Sequence, residues 1–197
     1  MVKILAINGS YRDDGAADQI IQTMVETLQA ENAQVEIIQL RDHPIEFCLN
    51  CRECTQQAGS QPGHCIQNDG MADIVAKIEA ADGFILASPT NFGSVTATFK
   101  RFMERLIVYA YWPWEAKAPS FRKQHQSRKK AVLVSSCAAP GFVGRLFYSS
   151  MRQLKYTAKV IGAETCGSLF GGLMAKAKPE LQPRIKVKAA ELAKKLL

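Results

Sequence analysis

Four of the six cysteines fall between Phe47 and Cys65, in FCLNCRECTQQAGSQPGHC. Cys48, Cys51 and Cys54 recur every third residue, so one or two turns of chain gather three thiolates, which suits three corners of an iron–sulfur cubane. Cys65 follows after ten residues, across a stretch whose Gly59, Pro62 and Gly63 let the chain fold back. A four-thiolate zinc site reads as two separated C-x2-C pairs, a pattern this stretch lacks. The residues leave two readings open. One is a 4Fe–4S cluster on Cys48, Cys51, Cys54 and Cys65; the other is a loop of free thiols open to oxidation.

Three further stretches combine glycine with small polar residues. NGSYRDDGAADQ, Asn8 to Gln19, joins an apolar run to an amphipathic one. Gly9 and Gly15 permit tight turns, Ser10 offers a hydroxyl and Arg12 a fixed cationic fork. A helix starting just beyond presents unpaired N–H groups and the positive end of its dipole, a combination that holds phosphate. No Gly-Lys-Ser/Thr closes the stretch and no G-x-G-x-x-G spacing occurs, so it is neither a Walker A loop nor a dinucleotide fingerprint. In SPTNFGSVT, Ser88 to Thr96, Pro89 fixes one backbone angle and Gly93 allows close approach. Ser94 reads as the N-cap of a helix beginning near Val95. Asn91 and Phe92 then project where a planar ring could lie; an ordinary capped turn reads equally well. SSCAAPGFVGR, Ser135 to Arg145, surrounds Cys137 with small residues. No base can be placed beside that thiol, so it reads as a small residue lining a pocket.

Two periods reveal the elements that must carry these stretches. Val2–Ile7, Val35–Leu40, Phe84–Ala87, Ala131–Val134 and Thr165–Phe170 are short apolar runs, as strands buried on both faces should be. Helical spacing relates Ile20, Ile21, Met24, Val25 and Leu28, and again Met71, Ile74, Val75 and Ile78. It returns in Val95, Phe99, Phe102, Met103 and Leu106, then in Phe147, Met151, Leu154, Ala158 and Ile161. A fifth stripe holds Ile185, Ala189, Leu192 and Leu196. The alternation predicts an α/β fold in one domain over 1–197, a three-layer doubly wound sandwich about a five-stranded parallel sheet. Ligands of such sheets sit outside the carboxyl ends of the strands, where all three glycine-bearing stretches fall.

Composition sets the outer bounds. At 197 residues, 47% hydrophobic and 22% charged, the chain can bury a core without staples. MVKILAING is too short for a signal peptide, and no segment reaches membrane length, so the expected compartment is the cytoplasm. The net charge of +7 is uneven: residues 115–130 and 176–197 together carry +10. Neither stretch has interleaved aromatics or a recognition-helix pattern. They read as a solvated loop and a solvated helix face rather than a nucleic-acid surface. His43, His64 and His125 occupy turn-like or basic surroundings and read as surface residues. The insertion from Tyr109 to Lys130 exceeds the usual connection length. Its Tyr109, Tyr111, Trp112 and Trp114 could cover a bound ring, form a subunit contact, or pack as an ordinary loop.

In their order, these motifs resemble the NADPH-dependent FMN reductase family of flavodoxin-like folds, in particular its iron–sulfur flavoprotein branch. GSYRDDGAA is similar to that family's GSPRxxGNT phosphate loop. SPTNFGSVTATFKRFMER is similar to its SP-x-[YN]-[WF]-G-S-V-[ST] loop and the K-x-F-x-[DE]-R that follows, here Lys100, Phe102, Glu104 and Arg105. The cysteine run and NDGM resemble its C-x-x-C-x-x-C…C…DDM stretch. The match covers most of residues 1–106 and loosens beyond.

The resemblance implies strand order 2-1-3-4-5 and an FMN phosphate cradled by Ser10, Arg12, Gly15, Ala16 and Ala17. Pro89, Thr90, Asn91, Phe92 and Gly93 would line the ring and ribityl chain, with Ser136, Cys137, Ala138 and Gly141 along the other edge. Ala16-Ala17 replaces an Asn-Thr pair, so backbone amides, Ser10 and Arg12 must carry more of the phosphate. The implied activity is hydride transfer from NAD(P)H through FMN to a small acceptor: a quinone, a flavin, a nitro compound or a metal ion. A homodimer or homotetramer is implied, with the aromatic insertion at the interface. The alternative is an electron-transfer protein with FMN and a 4Fe–4S cluster on the four cysteines, reduced by ferredoxin. An acidic flavodoxin-type shuttle fits poorly with +7, and Ala16-Ala17 keep open a relative that has lost its flavin.

Overall fold

The computed structural model describes residues 1–124, 128–176 and 179–197; His125 lies outside the described residues. In chain order the elements are β1 (Lys3–Asn8), α1 (Ala16–Ala30), β2 (Gln34–Gln39), α2 (Met71–Ala80), β3 (Gly83–Asn91), β4 (Ser94–Val95) and α3 (Ala97–Arg105). There follow β5 (Ala110–Tyr111), β6 (Ser120–Phe121), β7 (Lys129–Ser136), α4 (Gly141–Phe147), α5 (Ser150–Val160), β8 (Ala163–Gly171) and α6 (Pro183–Lys194). The five long strands pair in parallel in the order β2-β1-β3-β7-β8, which is the expected order. The fold is α/β, a parallel sheet covered by helices.

Alternating residues of the central strands explain the three layers. Leu5, Ile7, Phe84, Leu86 and Leu133 face the side that carries α2, α3 and α5. Ile4, Ala6, Ile85, Ala87, Val132 and Val134 face the side that carries α1 and α6. Both sets are almost fully buried, so the strands have no polar face to show.

Two expected stripes divide differently. Val95 belongs to a short hairpin strand, and the third helix begins at Ala97, capped by Thr96, whose Oγ1 accepts the Phe99 N–H at 3.2 Å. Ser94 is therefore not the cap; its hydroxyl donates to Gln153 at 2.9 Å. The stripe expected from Phe147 to Ile161 breaks at Tyr148, leaving Phe147 exposed at the end of α4 and Met151 to Ala158 on α5. Ser149 makes the break by donating both its N–H and its hydroxyl to the Gly93 carbonyl.

Between β3 and β4 the chain reverses at Phe92 and Gly93, both at positive φ (48° and 74°). That is the backbone of a type I′ hairpin turn, which favours Asn-Gly. A phenylalanine there carries the steric cost of the left-handed region, and its ring is fully exposed. Phe92→Asn is expected to stabilise the chain by about 1 kcal/mol; a urea midpoint unchanged or lowered would contradict this.

Candidate functional site

The carboxyl ends of β1, β3, β7 and β8 open onto a cleft of about 480 Å³. Its first wall is the β1–α1 turn. Asn8, fully buried, accepts the Ser10 N–H at 2.9 Å and donates to Asp18 and Gln39. Asp18 in turn accepts the Gly15 N–H at 3.2 Å, which fixes the start of α1. Burial pushes the Asp18 carboxyl above its usual range against the opposing Gly15 amide and Arg41. Arg41 reaches across to the carbonyls of Ser10 and Arg12. The turn is thus braced from behind, and the start of a 15-residue helix, Gly15 and Ala16, lines the cleft.

The second wall is tied to the first. Gly9 donates to the Ala87 carbonyl at 2.8 Å, and Thr96 Oγ1 donates to the Gly9 carbonyl at 2.6 Å. A Cβ on Gly9 would sit 2.7 Å from Phe99, so only glycine lets this turn lie against α3. Thr90 is held by Ser135 and Ser150 at 3.1 and 2.8 Å. The third wall is Ser136, Cys137 and Ala138. Burial raises the Cys137 thiol, and its sulfur donates to the Ala139 carbonyl at 3.3 Å, so it is a packed pocket residue.

Ten of the fourteen expected contact positions line this cleft: Ser10, Arg12, Gly15, Ala16, Pro89, Thr90, Asn91, Ser136, Cys137 and Ala138. Ser10 is almost wholly buried and spends its hydroxyl on the Arg12 backbone. The side chains of Arg12 and Asn91 make no hydrogen bond within the described residues and are available to a ligand. Ala17 is buried on the inner face of α1, Phe92 and Gly93 form the hairpin tip, and Gly141 packs on Gly172; these four do not line the cleft.

Sequence reasoning missed Tyr11, Thr96, Ala97 and Thr98, and a fourth wall of Met174, Ala175, Lys176 and Pro179. Thr96 to Thr98 bring a second helix N-terminus, that of α3, to the cleft. The fourth wall follows β8 at the same sheet edge, and its Lys176 belongs to the basic stretch expected to be solvated. Lys176 adds a second cation opposite Arg12.

The cysteine loop stands apart from this cleft and is firmly built. Its basic neighbour was expected to be solvated; instead Arg122 and Lys123 are buried. Arg122 donates to the carbonyls of Val108, Gly59 and Cys54 at 3.1, 3.1 and 3.2 Å. Arg52, between Cys51 and Glu53, stacks on Trp112 at 3.8 Å and on Trp114 at 4.4 Å. Its guanidinium donates to the carbonyls of Trp112 and Pro113. Tyr109 is fully buried and donates its hydroxyl to Glu79. The aromatic insertion therefore clasps the cysteine loop, and none of its residues lines the cleft.

Burial pushes the Cys54 thiol up to about 11, with Cys65, Cys48 and Cys51 adding to the rise. Cys54 thus lies within electrostatic range of the other three thiols. Yet among the described residues no three His, Cys, Asp or Glu side chains close around a single ion. One zinc draws its sulfurs to about 2.3 Å from a common point, whereas a cubane keeps its four thiolates apart by its own body. The donor set, all thiolate, suits iron–sulfur chemistry.

Gly63 shows how closely the loop is packed. A Cβ there would fall 1.8 Å from the Cys54 carbonyl oxygen. Gly63→Ala is expected to cost about 1–3 kcal/mol and to move Cys54 away from Cys65. Unfolding by urea and thiol accessibility to a labelling reagent check it; wild-type behaviour in both would show that the contact yields freely. A second cleft of about 460 Å³, walled by α2 and by Gly63, His64 and Cys65, gives solvent a path to this side of the loop. His43, also expected at the surface, is half-buried with Nδ1 3.0 Å from the Gln39 carbonyl.

The model of the NADPH-dependent FMN reductase family matches residues 2–154. The chain belongs to that family. This FMN reductase relative is 30% identical over 112 residues to an iron–sulfur flavoprotein of Archaeoglobus fulgidus, covering 57% of the chain and 49% of that protein. It is 32% identical over 104 residues to an iron–sulfur flavoprotein of Methanocaldococcus jannaschii, covering 53% and 51%. Each match thus spans about half the length of the relative. A solved FMN-dependent NADH-azoreductase from Bacillus anthracis superposes over 100% of the chain and 99% of its own, with a TM-score of 0.69 at 14% identity. At that identity the likeness speaks for the fold. Among the described residues, no helix is long and apolar enough to cross a membrane.

Proposed function

We propose that this protein is an FMN-dependent NAD(P)H oxidoreductase acting on a small acceptor of the quinone, flavin, nitro-compound or metal-ion class. Family membership supports the reading, and one observation carries it. A single cleft joins two helix N-termini, two cations, Arg12 and Lys176, and walls of small residues. That set fits a phosphate at the α1 end and a flat, largely apolar ring between Thr90 and Cys137. When bound, FMN supplies the hydride chemistry at its ring.

The chain's own part is to hold and expose. The Ala16 amide at the start of α1 would take the phosphate, since Ala16 offers no side-chain donor and the Gly15 N–H is already given to Asp18. Arg12 closes on it as a fork, and Asn91 is free to bond the ring edge or the ribityl chain. The flavin's hydride chemistry asks no acid or base of the protein. Gently isolated protein should be yellow, or bind added FMN, and then oxidise NAD(P)H with a quinone or free flavin present. Colourless protein that refuses FMN would end this reading.

A second reading has its own support. The four-cysteine loop, with Cys54 within electrostatic range of the other three thiols and a backbone locked by Arg52, Gly63 and Arg122, fits a 4Fe–4S cluster ligated by Cys48, Cys51, Cys54 and Cys65. The protein would then pass single electrons between flavin and cluster, with a ferredoxin-class protein as donor. Iron and acid-labile sulfide at about four per chain after anaerobic isolation supports it; iron-free protein that resists reconstitution defeats it. The exposed aromatic residues Phe92, Phe142 and Phe147 are consistent with a homodimer or homotetramer, and the cytoplasm is the proposed compartment.

A further inference from the structure

Two buried arginines converge on the cysteine loop from different elements. Arg105, the last residue of α3, is 1% exposed and donates an N–H to Cys65 Sγ at 3.4 Å. Its charge is met by Asp69, which accepts from both of its terminal nitrogens. Arg122, from the loop after β6, is 9% exposed. It bonds three carbonyls, one of them that of Cys54, and no carboxylate among the described residues. Lys123, its neighbour, differs: it pairs with Glu79.

A buried guanidinium facing only neutral dipoles is costly, because carbonyls replace its hydration but leave its charge unbalanced. Near Arg122 the groups able to supply negative charge are Cys54 and the Tyr111 phenol, and of these only the cysteine becomes an anion by ligating iron. As a thiol it is neutral; as a ligand of an iron–sulfur cluster it is a thiolate. Such a cluster is an anion overall, and uptake of one electron makes it more so, with no bond formed or broken and no proton moved. Cationic charge and N–H···S bonds favour the reduced state and raise the reduction potential.

We propose that Arg122 and Arg105 are positioning residues for an anionic iron–sulfur cluster: Arg122 supplies its buried counter-charge, Arg105 an N–H bond to the Cys65 ligand, and together they raise its reduction potential. The inference rests on the iron–sulfur reading above.

The test compares wild type with Arg122→Gln, which keeps donors and loses charge, and Arg122→Lys, which keeps charge. Each is isolated with its flavin and reconstituted anaerobically with ferrous iron and sulfide. The readouts are iron and sulfide per chain and a redox titration followed by electron paramagnetic resonance. In Arg122→Gln the equilibrium constant for one-electron reduction should fall about tenfold or more, a midpoint about 59 mV lower. Arg122→Lys should remain within about threefold of wild type, since its charge is kept.

Equal potentials in wild type and Arg122→Gln at full iron content would overturn the role of Arg122 and leave the cluster standing. Wild type that takes up no iron and sulfide would remove the cluster, and this inference with it. Should Arg122→Gln not fold, as judged by its flavin content and circular dichroism, Arg105→Lys decides. It can still pair with Asp69 but loses the fork that reaches Cys65, so its reduction constant should fall severalfold. An unchanged potential there refutes the proposal.

Discussion

Asp69→Ala is expected to destabilise the protein by about 3–5 kcal/mol, the cost of stripping one partner from a buried ion pair. Asp69 accepts from Arg105 on both oxygens, from the Glu46 N–H at 2.8 Å and from the Met71 N–H at 3.0 Å. Its side chain is 7% exposed and that of Arg105 is 1% exposed. The carboxylate therefore ties the start of α2, the strap before the cysteine loop and the end of α3 to one point. Burial alone would raise its pKa; the Arg105 bonds, helped by the two amides, outweigh burial and hold it below the usual range. A depressed carboxylate contributes its stability above the unfolded value, about 4, and loses it as pH falls through the lower folded value. Wild type should therefore weaken progressively below about pH 4, and Asp69→Asn should lack that component. Urea unfolding from pH 7 to pH 3 measures both. A cost under about 1 kcal/mol would place this pair with exposed ones.

Arg12→Ala is expected to weaken FMN binding by about tenfold to 150-fold, from the 1.5–3 kcal/mol of a charge-assisted hydrogen bond. Two features make the effect large. The family's Asn-Thr pair is Ala16-Ala17 here, and the Ser10 hydroxyl is committed to its own turn. Few side chains remain to share the phosphate. Riboflavin, which has no phosphate, separates this role from a general loosening of the cleft. Its affinity should be unchanged in Arg12→Ala, while Arg12→Lys should fall between wild type and alanine for FMN. Equal losses for both ligands would show that Arg12 shapes the cleft and does not bind phosphate.

Where burial and period dominate, the sequence was an adequate guide. Strand runs such as Phe84–Ala87 are apolar because both faces of the sheet are covered, and the stripe Ile20 to Leu28 is apolar because one side of α1 is. Both signals are local. The cleft was legible through its glycines, since Gly9 marks a turn that only glycine allows. What was not legible is set by contacts distant in sequence. The Thr96 cap depends on Gly9, 87 residues away, and the helix break at Tyr148 depends on the Gly93 carbonyl. Lys176 was absorbed into a charge count, although its place after the last strand puts it at the same sheet edge. Arg122 and Lys123 mislead for a related reason: a basic run looks solvated until the carbonyls and the carboxylate that receive it are known. The tryptophans of the insertion looked free to cover a flavin because nothing local shows that Arg52 lies between them.

The clasp around the thiols has a bearing on assembly. Many small metalloproteins are shapeless until the ion arrives, so chelation unfolds them. Here the segment from Arg52 to Gly63 is pinned by stacked indoles, by an arginine spanning three carbonyls and by a glycine wedged under the main chain. None of these fastenings needs a metal. If the loop holds the proposed cluster, a chelator should therefore strip its iron without unfolding the chain, a result that circular dichroism before and after chelation would check.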